Sequence, residues 1–97
     1  MKRALKINPK DNVAMVLESV NAGDQVKIGE EEITAITNIP MPHKMALTDI
    51  KIDEIVYKYG APIGYATVPI KRGEHVHSHN LDLARMLKAL TDKQTIS

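Results

Sequence analysis

The chain has no cysteine, phenylalanine or tryptophan, and only three tyrosines, Tyr57, Tyr59 and Tyr65. Without cysteine there is no disulfide, no thiolate metal site and no cysteine nucleophile. Without large aromatics, 97 residues bury limited area, so modest stability alone, or stability gained from a partner, is expected. Neither sign of charge dominates: 13 Lys and Arg against 12 Asp and Glu leave +1 with His neutral. That balance lacks the electrostatic footprint of a nucleic-acid or anionic-membrane binder. No apolar run follows the basic residues of Met1-Lys2-Arg3-Ala4-Leu5-Lys6, so the amino terminus reads as neither a secretion signal nor a membrane span. A cytoplasmic chain without nucleic-acid or membrane partners is expected.

The apolar residues present are mostly aliphatic: 11 Ile, 7 Val and 7 Leu. β-Branched side chains pack well on a pleated surface, so the composition favours strands. Ala4 to Ile7 reads as a short strand before the turn cluster Asn8 to Asn12. Val13 to Val20 fits strand or helix. Gln25 to Ile28 alternates as a half-buried strand, Gly29 to Glu32 turns the chain, and Ile33 to Ile39 is the next strand. Pro40-Met41-Pro42 starts a loop. Ile55 to Tyr59, Ile63 to Ile70 and His75 to His79 read as strands, with Gly60-Ala61-Pro62 breaking the chain between the first two. Leu83, Met86, Leu87 and Leu90 have helical spacing, with Asn80 or Asp82 as cap.

One pattern recurs three times: an aliphatic, two residues, a turn former, two residues, then Val. The copies are Val20 to Val26, Ile50 to Val56 and Ile70 to Val76, with Gly23, Asp53 and Gly73 as the turn formers. Glycine tolerates a left-handed backbone, and Asp tolerates it better than most residues. Each copy therefore reads as strand, tight turn, strand, and the domain as all-β with a helical tail.

The densest chemical signal is His75-Val76-His77-Ser78-His79-Asn80. On a strand, His75, His77 and His79 would share one face about 7 Å apart, near enough to meet one divalent metal, with Val76 facing the core. Imidazoles with carboxylates suit Fe(II), Mn(II) or Zn(II). The plainer reading is a solvated, His-rich face. In Pro42-His43-Lys44 a loop presents an imidazole and an ammonium together. In Tyr57-Lys58-Tyr59, alternation puts the two rings on one face and Lys58 on the other. Glu30-Glu31-Glu32 reads as a solvated turn. No Gly-rich phosphate loop, Ser nucleophile motif or paired-carboxylate signature is present.

Six stretches, taken in order, resemble the amino-terminal SAF domain of the altronate and galactarate dehydratases over about residues 7–81. They are Asp11-Asn12-Val13-Ala14, Ala22-Gly23, His43-Lys44-Met45-Ala46-Leu47, Lys58-Tyr59-Gly60, Ile63-Gly64-Tyr65-Ala66 and Gly73 to Asn80. The resemblance implies a β-clip fold: a mainly β domain of short strands and tight turns. One domain over 1–97 is expected, with its core at about 7–81 and a short C-terminal helix over 82–92. The resemblance also implies a hydro-lyase that converts a sugar acid to a 2-keto-3-deoxy acid and requires iron or a similar divalent metal. A large catalytic subunit or domain would complete the site. The small subunit of a sulfolactate sulfo-lyase is similar and would eliminate sulfite. The chain ends at Ser97, as a stand-alone small subunit would, and self-association is left open. Two positions depart from the family pattern: Pro42 stands where Gly commonly precedes His-Lys, and Asp53 replaces a turn Gly.

Elimination beside a carboxylate needs a base at C2, an acid or metal assisting hydroxide loss at C3, and cations on the carboxylate. On that reading His77 and His79 serve as metal ligands or proton carriers, His75 as a further metal ligand and His43 as acid or base. Lys44 and Lys58 would bind carboxylate or hydroxyls, and Asn80 would orient a hydroxyl. The alternative is a non-catalytic carbohydrate-binding or assembly module of the same fold.

Overall fold

The computed structural model of the chain describes residues 1–83. Among the described residues nine strands form two sheets: β1 (Lys2–Leu5), β2 (Val13–Val16), β3 (Gln25–Ile28), β4 (Glu31–Thr34), β5 (Lys44–Ala46), β6 (Ile55–Lys58), β7 (Ala61–Ala66), β8 (His75–Val76) and β9 (Leu81–Asp82). One sheet has the order β4-β3-β1-β2-β5-β8, the other β6-β7-β9. β1 runs parallel to β3, and the other neighbours are antiparallel. The domain is mainly β, as the aliphatic composition implied. Ala4, in the first strand, is already buried in the core. Leu81 and Asp82 close a strand, and the rest of the helix expected over 82–92, beyond Leu83, lies outside the described residues. Among the described residues no helix is long and apolar enough to cross a membrane.

The three repeats share one backbone device. Asp24, Glu54 and Glu74 each donate an N–H to the carbonyl three residues earlier, at 3.0, 3.0 and 2.9 Å. The residue before each has positive φ: Gly23 at 94°, Asp53 at 69° and Gly73 at 89°. A type II turn requires positive φ there, which accounts for the two glycines and for Asp as a tolerated substitute. Each turn then exchanges two hydrogen bonds with a buried alanine on another segment: Ala35, Ala66 and Ala46 respectively. At Gly73 even a Cβ is excluded, since it would lie 2.3 Å from the Thr34 carbonyl oxygen. At Gly23 the same position is open space.

Aliphatic side chains flanking these turns fill two adjoining cores. Ala4, Val16, Val20, Val26, Ile33, Ile39 and Met45 belong to the first, and Val13, Ala46, Ile50, Val56, Ile70 and Val76 to the second. Because neighbours on a strand face opposite ways, Met45 and Ala46 serve different cores from one strand. Strand β5 therefore runs between them; it begins at Lys44, with His43 just ahead of it.

Four expectations shift. Gly29 (φ 59°) and Glu30 close a two-residue hairpin, so Glu31 and Glu32 pair with Ile28 and Lys27 inside β4 and the strand starts before Ile33. Ala61 and Pro62 belong to β7. The strand accommodates Pro62 opposite a register shift at Val56/Tyr57, where a missing ladder donor is tolerated. Tyr59 (φ 57°) and Gly60 (φ 77°) form the β6–β7 hairpin turn, so Tyr59 leaves the strand alternation that would have placed it beside Tyr57. Finally, β8 stops at Val76, and residues 77–80 form a turn closed by Asn80 N–H to the His77 carbonyl at 3.0 Å.

Candidate functional site

Antiparallel pairing of β5 with β8 sets Met45 opposite His75 and Lys44 opposite Val76. By the same register His43 falls opposite His77, and the four chemically distinctive residues from two separate stretches meet. His43 is held by its N–H to the Pro40 carbonyl (2.7 Å) and by its carbonyl, which accepts the Val16 N–H (3.0 Å). His43 Nδ1 and His75 Nε2 are 2.8 Å apart, so one ring donates and the other accepts. The His43 and His77 rings stack at 3.8 Å between centroids and 8° between planes. One ring nitrogen each from His43, His75 and His77 lies within 4.8 Å of the others.

The ring nitrogens placed so that they could hold a metal are those of His43, His75 and His77, and His79 of the expected His75-His77-His79 row is not among them. His79 is exposed in the turn, its ring 5.0 Å from that of His75 and tilted by 41°. The row fails because the 77–80 turn ends the strand after Val76. His43 could not be joined to it from spacing alone, since the join depends on which strands pair.

Asn80 is used differently from the hydroxyl contact expected of it. It is 1% exposed, its Oδ1 accepts the His77 N–H at 2.9 Å, and its Nδ2 donates to the His75 carbonyl at 2.8 Å. Its amide therefore faces backbone on both sides of Val76. A residue the sequence did not mark, Thr37, offers Oγ1 to the His75 N–H at 2.9 Å. Nothing in its local sequence distinguishes it within the stretch read as a strand.

Lys44 leaves β5 opposite Met15, and the Tyr59 hydroxyl lies 4.0 Å from the Met15 sulfur. Lys58 places its ammonium 4.9 Å from the centre of the Tyr59 ring. The two lysines are close enough that burial, then the Lys58 charge, lowers the Lys44 pKa. Burial also lowers the pKa of His75, to about 4, with His79, His43, His77 and Lys44 adding to it. His77 is lowered by burial and then by His43, Lys44 and His79. Among the described residues, no carboxylate acts on these three groups. The corner therefore sets two imidazoles that resist protonation, His75 and His77, beside the Lys44 and Lys58 side chains. Such a set can donate nitrogen lone pairs to a divalent ion, carry a proton or hold an anion.

A second polar corner lies across β2. Asp11, 5% exposed, accepts the Gly60 N–H at 2.7 Å and the Asn8 N–H at 3.0 Å. Burial alone would raise its pKa, but the backbone donors, led by Gly60 and Asn8, outweigh it and hold the carboxyl below its ordinary value. Asn12 accepts the Tyr57 N–H at 2.8 Å and donates to the Ile55 carbonyl at 3.0 Å, tying the small sheet to the large one. A hollow of about 540 Å³ opens beside Asp11 and Asn12, but none of the histidines lines it.

The altronate/galactarate dehydratase SAF domain matches residues 2–84. The chain is 43% identical over 76 residues to an altronate dehydratase of Escherichia coli (strain K12), a match spanning 78% of this chain and 15% of that protein. It is 39% identical over 80 residues to an altronate dehydratase of Bacillus subtilis (strain 168), spanning 82% of this chain and 16% of that protein. A (2R)-sulfolactate sulfo-lyase subunit alpha of Chromohalobacter salexigens is 38% identical over 79 residues, which span 73% of this chain and 82% of that protein. The chain therefore spans less than a fifth of the altronate dehydratases it matches, but most of the sulfo-lyase subunit.

Proposed function

The chain belongs to the altronate/galactarate dehydratase SAF domain family, and from that premise we propose that its His–Lys corner is one wall of a lyase site completed by a larger chain. The reaction is dehydration of a sugar acid of the altronate or galactarate type to a 2-keto-3-deoxy acid. The observation that carries this reading is the meeting of His43, His75 and His77 with Lys44 and Lys58, without a carboxylate acting on His75, His77 or Lys44 among the described residues.

Two ammonium groups that repel one another favour an anion between them, and a sugar-acid carboxylate is such an anion. Lys44 and Lys58 hold it. His77 and His43 carry the proton lost from C2 or delivered to the leaving hydroxide, the usual role of a positioned imidazole. His43, His75 and His77 also match a borderline divalent ion, Fe(II), Mn(II) or Zn(II), in donor type and separation. Such an ion supplies Lewis acidity for departure of the hydroxide. Asn80 holds the loop and does not touch substrate.

A second reading, the small subunit of a sulfolactate sulfo-lyase, is favoured by the 82% of that subunit's length that the match spans. A sulfonate is an anion of the kind this corner suits, and the leaving group would be sulfite. The test is an assay of the purified chain, with and without a large dehydratase-like partner, against sugar acids and sulfolactate in ferrous ion. We expect turnover of one acid class by the pair and none by the chain alone. Full turnover by the chain alone, or sugar binding by an assembly inert with every acid, would overturn the reading in favour of a self-sufficient enzyme or a binding module.

A further inference from the structure

We infer that Thr37 and Asn80 are positioning residues, clamping the backbone around Val76 so that His75 meets His43 ring to ring. The inference deepens the proposed function and rests on it for its catalytic consequence, but its geometric content stands apart from any reaction.

β8 is a two-residue strand at the edge of the six-stranded sheet. Its ladder to β5 has two rungs, Lys44 with Val76 and Met45 with His75. Two rungs alone leave a short edge strand free to fray. Three side-chain hydrogen bonds add what the ladder lacks. Thr37 Oγ1 takes the His75 N–H from the outer side, while Asn80 donates to the His75 carbonyl and accepts the His77 N–H from the other end. Thr37 is itself docked, because the neighbouring Ile36 donates its N–H to the Gly73 carbonyl at 3.0 Å. The backbone is thus gripped on both sides of Val76, whose side chain is fully buried in the second core.

The consequence falls on the rings. His43 is anchored independently, through Pro40 and Val16. The 2.8 Å contact between His43 Nδ1 and His75 Nε2 is therefore a distance between two separately held segments. A hydrogen bond of that length does not survive a shift of about 1 Å, and orientation losses of that size are costly in a reacting site. Ring contact fixes which nitrogen of each imidazole carries hydrogen, so the clamp also fixes the tautomers.

The experiment compares the wild-type chain with Thr37→Val, Thr37→Ser, Asn80→Ala and Asn80→Asp. Long-range proton–nitrogen spectra at one fixed pH report the ring tautomers, and thermal midpoints report stability. Turnover with the large partner is measured in parallel. In the wild type His43 and His75 should each show one tautomer, complementary to the other. Thr37→Val and Asn80→Ala should show averaged tautomers at both rings, while Thr37→Ser keeps the wild-type pattern. Asn80→Asp keeps the acceptor for His77 but loses the donor to His75, and should fall between. With the partner present, kcat should drop roughly ten- to hundredfold at nearly constant KM in the averaged variants. Wild-type tautomers in Thr37→Val and Asn80→Ala, with only the midpoint lowered, would reduce both residues to ordinary stabilisers and overturn the inference. If Asn80→Ala does not fold, Thr37→Val decides alone. A wild-type pair without turnover counts against the proposed function, and the tautomers still decide the clamp.

Discussion

The Asp11–Asn12 corner directs its side-chain atoms at backbone groups of Asn8, Ile55, Tyr57 and Gly60, whereas the His43–His75–His77 corner turns imidazoles toward one another. They sit at opposite ends of the antiparallel β2–β5 pair, Asn12 beside Leu47 and His43 beside Val16. In the first, each polar atom replaces a ladder bond that the chain could not otherwise make, and its contribution is to stability. In the second, the backbone is satisfied by Thr37, Asn80, Pro40 and Val16, so the rings remain available for chemistry. Polar residues that are equally prominent in sequence thus separate by what they bond to.

Exchanging the roles of the two corners is the way to break this contrast, and the largest effect is expected at Asp11. Asp11→Ala removes two charge-assisted hydrogen bonds of roughly 1.5–3 kcal/mol each and leaves buried donors unmet, a loss of about 3–5 kcal/mol. Chemical denaturation should show it. The surviving folded fraction should bind substrate normally once partnered, because the imidazoles do not touch Asp11.

Lys44→Ala should act in the opposite sense. It should weaken acid binding by the proposed assembly by about 1.5–3 kcal/mol, the cost of one charge-assisted contact. Its thermal midpoint should move little, since Lys44 is half-buried and its charge is disfavoured by burial and by Lys58. Unchanged affinity with a lowered midpoint would assign Lys44 to the fold.

A smaller effect, but a sharper separation, is expected from acid titration of stability. The folded His75 pKa is depressed to about 4 from 6.5, so below 6.5 the unfolded chain takes up a proton that the folded chain refuses. Stability is therefore full above pH 6.5 and declines as pH falls toward 4, modestly because the ring is partly exposed. His77 contributes in the same direction. The Asp11 carboxyl is depressed below 3.8, so its stabilisation is present above that value and is lost at lower pH, through its folded pKa. Two windows should appear in denaturant midpoints measured from pH 7 to 2. His75→Gln should shrink the upper window and leave the lower one. A single transition, unchanged in His75→Gln, would merge the corners.

Much of this was legible in the sequence where the physics is local. The three turns showed themselves because positive φ at Gly23, Asp53 and Gly73 restricts residue choice within four positions. The mainly β class followed from Ile and Val in place of aromatics. The site was legible in part: His43, Lys44, His75 and His77 stood out by type. What could not be read was pairing, because nothing local places β5 beside β8 or β1 parallel to β3. His79 was grouped by spacing that the 77–80 turn cancels, and Asn80 looked like a ligand group when its amide is buried against backbone. Thr37 left no mark, since one hydroxyl among polar and aliphatic neighbours is not a pattern.

The most direct measurement of the account is turnover by the proposed assembly of this chain with a larger partner, carrying His77→Ala or His79→Ala, with ferrous ion supplied and folding checked by thermal midpoint. His77 stacks on His43 within the nitrogen cluster, and His79 stands exposed outside it. His77→Ala should lower turnover roughly a hundredfold, the scale for losing a proton-transfer group, while His79→Ala stays within a few-fold of wild type and both keep the wild-type midpoint. Near-wild-type turnover for His77→Ala, or an equal loss for His79→Ala, would contradict the assignment of the reactive corner to His43, His75 and His77.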